Sequence, residues 1–227
     1  MKLIKRILSP LKKNEHIRVL LFRIYMHVFG MERSISGSNN VIKNDGALIK
    51  KVNLKILGNN NMIEFGKGSR LSNVEIRIQG DNHRLLIGED CYMGKGSFWF
   101  EDTNGKICIG SKTTIEDADF ASIESVSVQV GNDCMFSFGI DIRPGDSHSI
   151  IDLATNKRIN PAEDIVIGNH VWIGAKETVL KGVKIADCVI VGNGAIVTKT
   201  CAKSNCIIAG VPAKVVKEDV DWCRKRL

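Results

Sequence analysis

Residues 34–214 are expected to form a mainly β solenoid, in which short strands are wound into stacked coils. Two repeats and one compositional fact carry that expectation. Aliphatic residues fall six apart at Ile167, Ile173, Val179, Ile185, Val191 and Val197. A second row runs two residues earlier through Ile165, Val171, Val183, Val189 and Ala195, with Glu177 its one break. Aromatic residues are only 6% of the 227-residue chain against 44% hydrophobic residues, so a thin aliphatic interior is expected rather than a large aromatic core. A helix would repeat near every 3.6 residues and an isolated strand pair every 2. A period of six describes a short strand ended by a turn. Such a unit buries its aliphatic side chain only against the next coil.

The first segment, residues 1–33, differs in kind. Ile17, Leu20, Leu21, Ile24 and Val28 recur at helical spacing, which predicts an amphipathic helix. Residues 1–30 carry a net charge of +6 of the +7 on the whole chain. The basic excess therefore belongs to this segment and not to the coil. Two readings stay open: contact with an anionic membrane surface, or packing on the coil end.

Next come the looser coils. Gly-polar-Asn turns stand at Gly37-Ser38-Asn39, Gly58-Asn59-Asn60 and Gly80-Asp81-Asn82, and a parallel glycine series runs Gly66, Gly88, Gly110, Gly131. Both drift at about 22 residues, as expected for three hexads plus extra corner residues. Roughly seven coils fit between Ser36 and Thr200. At the far end, residues 215–227 are expected to close the coil as a helical tail, which would cover exposed strand edges.

One hexad series reads Val130, Phe136, Ile142 and then His148. A histidine stands where an aliphatic is due, and the period then stops over 149–164. Loops on rigid scaffolds often carry chemistry. By itself the histidine is equally compatible with a simple turn.

Three stretches narrow the choice: Gly168-Asn169-His170-Val171-Trp172-Ile173-Gly174, Gly192-Asn193-Gly194-Ala195-Ile196-Val197-Thr198-Lys199 and Ala209-Gly210-Val211-Pro212-Ala213-Lys214. They resemble the hexapeptide-repeat acetyltransferases, and among them the bacterial polysaccharide O-acetyltransferases that act on polysialic acid capsule. The family's catalytic histidine precedes its Val-Trp-Ile-Gly tryptophan by 24 residues, the separation of His148 and Trp172 here. The resemblance implies a left-handed parallel β-helix, a homotrimer with sites between subunits, and acetyl-CoA as co-substrate. It is strong over about 140–214 and fades to generic repeats upstream.

The implied chemistry is direct acetyl transfer to a sugar hydroxyl of a surface polysaccharide. An imidazole, with an ordinary pKa of about 6.5, suits proton removal from that hydroxyl, which gives His148 the role of general base. The backbone N–H of Ala175 is implied as an oxyanion donor. Trp172 would line the pantetheine tunnel, with Gly192, Asn193 and Thr198 along the groove. Lys199 and Lys214 would meet cofactor phosphates, and Val211-Pro212 would turn the chain back over the cofactor. Some relatives use an Asn about thirty residues before the His for the acceptor, and Asp119 falls there. Arg143, Lys157 and Arg158 are candidates for carboxylates of an acidic glycan. Asp146 or a backbone carbonyl would orient His148, and the sequence does not choose between them.

Other functions are weighed on the same residues. A nucleotide-sugar, amino-acid or other small acceptor would leave the coil unchanged. A zinc enzyme of the same coil type needs three histidines, and His16, His27, His83, His148 and His170 are too scattered, so no metal is expected. A non-catalytic glycan-binding solenoid does not account for the His148–Trp172 spacing. No nucleic-acid motif occurs. Residues 1–9 lack the features of a signal peptide, and no run of about 18 apolar residues occurs, so a cytoplasmic location is expected, with residues 1–30 able to rest on the inner membrane face. The seven cysteines are odd in number and form no Cys-x-x-Cys pair, so reduced, mostly buried thiols are expected.

Overall fold

A computed structural model describes residues 30–227. The helix expected within residues 1–33 falls on residues 1–29, outside the described residues. Strand structure begins earlier than that boundary, at Met31–Ser36.

The described residues form a parallel β-helix. One ladder holds seven parallel strands, from Val41–Asn44 to Lys184–Ile185. The other two faces share one thirteen-stranded sheet, because strands such as Leu48–Leu57 and Arg70–Gln79 continue around a corner. Lys51 and Asn73 make that corner with left-handed φ values of 52° and 53°.

Register explains the two repeats. Upstream, Val52 pairs with Val74, 22 residues later, and Val74 with Gly96. Downstream, Val179 pairs with Val197 and Ile173 with Val191, each 18 residues later. Eighteen is three hexads, so the clean period of six appears only there. The upstream turn residues are required by their backbone. Asn39, Asn60 and Asn82 have φ of 56°, 57° and 62°, which asparagine tolerates better than most residues. A Cβ at Gly58 would stand 1.9 Å from the Gly80 oxygen on the next coil.

The interior corrects one expectation. Aliphatic rows do fill it, as at Leu54, Ile56, Ile76 and Ile78, but the largest fully buried side chains are Phe65, Phe98, Phe100, Phe120 and Phe136. Phe98 stacks on Phe120 at 5.3 Å and Phe120 on Phe136 at 6.0 Å. The wider 22-residue coils leave room for rings that an 18-residue coil does not.

The closing tail is not a helix. Lys214–Glu218 is a strand that returns antiparallel on Cys206–Ala209. The last parallel strand has backbone groups left to pair, and the β-branched Val215 and Val216 suit a strand that covers them. The excursion leaves after Ile140–Arg143, forms a two-strand antiparallel hairpin (Ile151–Asp152 with Lys157–Arg158), and rejoins at Ile165–Ile167. All seven cysteines are free thiols.

Candidate active site at the excursion loop

His148 sits where the chain leaves the coil. A tight turn aims it: Ser147 takes a left-handed φ of 61°, and the His148 N–H donates to the Asp146 carbonyl at 2.7 Å. At Gly145 a Cβ would meet Ile123 Cδ1 at 2.7 Å, so only glycine lets the turn sit this close to the coil. The residue is exposed, and its ring has no hydrogen-bond partner among the described residues. The other two described histidines serve elsewhere. His83 is fully buried, accepts from Gly105 N–H at 3.0 Å, and has its pKa lowered by burial. His170 holds the C-terminal tail.

The Asp146 carboxylate does not touch the imidazole. It pairs with the Lys181 ammonium and accepts from Asn160 Nδ2. The hydrogen bond from Lys181, aided by Asn160, holds its pKa below the usual carboxylate range. Asp146 thus fixes the turn's backbone, not the ring. Asn160 completes the anchor. It is 5% exposed, donates to Asp146 Oδ2 and the His148 carbonyl at 2.8 Å each, and accepts from Ile150 N–H at 2.6 Å. The sequence places Asn160 in the loop and assigns it no role. A buried amide in an aperiodic stretch has no spacing signal.

The acceptor candidates divide. Arg158 is committed to Glu124 at 2.6 Å, where its hydrogen bond lowers the Glu124 pKa, and it also donates to the Asn160 carbonyl. That pairing makes it a strut between loop and coil and removes it as a free cation. Arg143 Nε donates to both Asp141 oxygens, at 2.7 and 2.9 Å. Lys157 is exposed on the hairpin. Asp119 is exposed and accepts from Ser97 Oγ at 2.5 Å.

The cofactor candidates lie around the next corner. Trp172 occupies the ladder Met135–Trp172–Ile190 and is 36% exposed, with Trp222 tilted against it at 6.1 Å. The corner at Gly174–Glu177 separates that ladder from the Asp141–Thr178–Ile196 ladder that leads to His148. Within one chain, His148 and Trp172 therefore stand on different faces. The Ala175 N–H donates to Asn193 Oδ1 at 2.8 Å, and the Ala175 carbonyl accepts from Gly194. In this conformation the Ala175 amide is occupied by Asn193 and is not a free oxyanion donor. Gly192 is half-buried, and Thr198, Lys199 and Lys214 are exposed. Val211 and Pro212 are exposed in the turn that carries the chain back, with Ala213 N–H bonded to the Ile196 carbonyl.

Residues 164–199 match the bacterial transferase hexapeptide family (six repeats). The chain is 36% identical over 119 residues to a polysialic acid O-acetyltransferase of Escherichia coli O1:K1 / APEC, covering 52% of this chain and 38% of that protein. It is 38% identical over 117 residues to a polysialic acid O-acetyltransferase of Neisseria meningitidis, covering 52% of this chain and 54% of that protein. The chain thus spans about half or less of the length of these curated relatives. The crystal structure of the polysialic acid O-acetyltransferase OatWY superposes with a TM-score of 0.83 at 36% identity, covering 85% of this chain and 92% of that one. The coil has the left-handed β-helix architecture of these neighbours.

Proposed function

The chain belongs to the hexapeptide-repeat acetyltransferases, in the group that contains the polysialic acid O-acetyltransferases, and we propose that it transfers an acetyl group from acetyl-CoA to a hydroxyl of an acidic bacterial surface polysaccharide. The carrying observation is the likeness along 92% of a solved polysialic acid O-acetyltransferase. It is supported by an exposed histidine held on an anchored turn. His148 takes the hydroxyl proton as the sugar oxygen attacks the thioester carbonyl. A carbon–oxygen bond forms and the carbon–sulfur bond breaks. The imidazolium then returns the proton to the departing thiolate. No acyl-enzyme is needed.

His148 and Trp172 stand on different faces of one coil, which favours a site completed by a second copy, as in a trimer. The other copy would bring its Trp172 face, with Gly192, Asn193, Thr198, Lys199 and Lys214, to this chain's His148. The +6 segment at residues 1–30 suits a peripheral position on an anionic inner membrane face, where such glycans are assembled.

The test is thiol release from acetyl-CoA with purified sialic acid polymers, other capsular glycans and small acceptors, followed by mapping of the acetylated position. Acetylated polymer, abolished by His148→Ala, is the expected result. Turnover with a nucleotide-sugar or amino acid and none with polymer would sink the reading.

A further inference from the structure

A pocket of about 240 Å³ opens beside the His148 turn, lined by Trp99, Glu101, Ile123, Arg143, Gly145 and Ser147. Ser147 places it one residue from His148. Trp99 has no part in the site described above. Its ring is 38% exposed, while its neighbours Phe98 and Phe100 are fully buried, as strand alternation requires. Lys55, Arg77, Trp99 and Ala121 occupy one register column on successive coils. The Arg77 guanidinium lies over the Trp99 ring, 4.9 Å from its centroid. Its Nε is buried and has no hydrogen-bond partner among the described residues. Arg143 is already paired with Asp141, so Arg77 is the cation with a donor to spare.

These groups match one ligand chemistry. A sugar ring has an apolar C–H face and a rim of hydroxyls. An indole supplies the flat apolar surface. A carboxylate such as Glu101 accepts from hydroxyls, and it repels a second carboxylate, which fixes the ring's direction. A guanidinium with a free donor binds a sugar carboxylate. We propose that this pocket is an acceptor subsite in which Trp99 and Arg77 hold one acidic sugar residue next to the residue that His148 deprotonates. The column onward to Arg77 and Lys55 gives a polyanionic chain a path along the coil. The inference rests on the reading of the protein as a glycan O-acetyltransferase.

The experiment measures kcat and KM by thiol release, with sialic acid oligomers of increasing length and neutral oligosaccharides of matched length. Trp99→Ala is expected to raise KM for longer oligomers about tenfold, with kcat nearly unchanged, as loss of one stacked ring predicts. Trp99→Phe, which keeps an apolar face, should recover most of the loss. Arg77→Gln should raise KM for sialic acid oligomers and leave the neutral ones unaffected. Unchanged KM in Trp99→Ala, with an active wild type, overturns the subsite and spares the acetyltransferase reading. A wild type that acetylates no glycan overturns both. If the two variants instead lower Tm and weaken acetyl-CoA binding in parallel, the column is structural and the subsite is lost.

Discussion

Asn160 donates from one amide nitrogen to the His148 carbonyl and to Asp146 Oδ2, 2.8 Å in each case. One buried side chain thus holds both ends of the turn that presents the imidazole. It acts through His148 and touches no reacting atom, so it is a positioning residue. Asn160→Ala should lower kcat about 10- to 100-fold, because a small misplacement of a catalytic group costs rate steeply. KM for acetyl-CoA should stay within about twofold, since the cofactor candidates lie on another face. Asn160→Asp keeps the acceptor for Ile150 N–H but sets a carboxylate against Asp146, and should be no better than alanine. Equal loss of cofactor affinity in both variants would show general unfolding instead.

His148→Ala should reduce turnover by about 10²–10⁴-fold, the usual contribution of a general base. The thermal midpoint should not fall, because the ring is exposed and makes no hydrogen bond among the described residues. Full activity in that variant would end the proposed mechanism.

The C-terminal tail is locked by a second histidine. His170 stacks on Trp222 with ring centroids 4.2 Å apart, and its Nδ1 lies 2.7 Å from Asp133 Oδ2. Burial alone would lower the His170 pKa, but the hydrogen bonds to Asp133 and the Trp222 carbonyl outweigh it, and the net shift is upward. A folded pKa above the unfolded value near 6.5 means that the added stability is complete below pH 6.5. It is lost as pH rises through the folded pKa. The effect should be small, about 1 kcal/mol or less, since Asp133 is half exposed. Asp133→Asn should bring the His170 titration, followed by NMR, down toward its ordinary value. It should also speed proteolysis within residues 219–227. An unchanged titration would remove Asp133 as the cause.

How far the sequence reaches depends on what each feature repeats. The hexads over 167–197 are legible because the coil there is three strands of six, and Val179 meets Val197 in register. The 22-residue drift upstream is legible because Asn39, Asn60 and Asn82 recur at left-handed corners. His148 stands out by interrupting a series. The phenylalanine stack escapes notice because low total aromatic content hides the placement of a few rings in one column. The closing strand reads as a helix because five residues of β-branched and charged character carry no period long enough to decide. Arg158 and Ala175 cannot be judged from sequence at all, since their partners Glu124 and Asn193 lie 34 and 18 residues away.

Glu177, the one break in the inner aliphatic row, gives the sharpest pH prediction. It is 1% exposed, and neither carboxylate oxygen has a hydrogen-bond partner among the described residues. Burial pushes its pKa up to about 8, from 4.5 for a free side chain. The folded state therefore keeps a proton that the unfolded chain releases above pH 4.5. Stability is complete below that value and falls as pH rises toward 8. Glu177→Leu restores the aliphatic row at nearly the same volume and removes the titration. Its thermal midpoint should exceed that of the wild type by a margin that grows from about pH 5 to about pH 8, and the slope of stability with pH should flatten. Gly174 lies directly above, where an added Cβ would stand 2.9 Å from Glu177 Oε1 and 2.5 Å from Asn193 Oδ1. The carboxyl thus sits under the corner that carries Ala175, and its ionisation would disturb that corner first. Equal pH slopes for the wild type and Glu177→Leu in thermal melts would show that Glu177 does not titrate in this window.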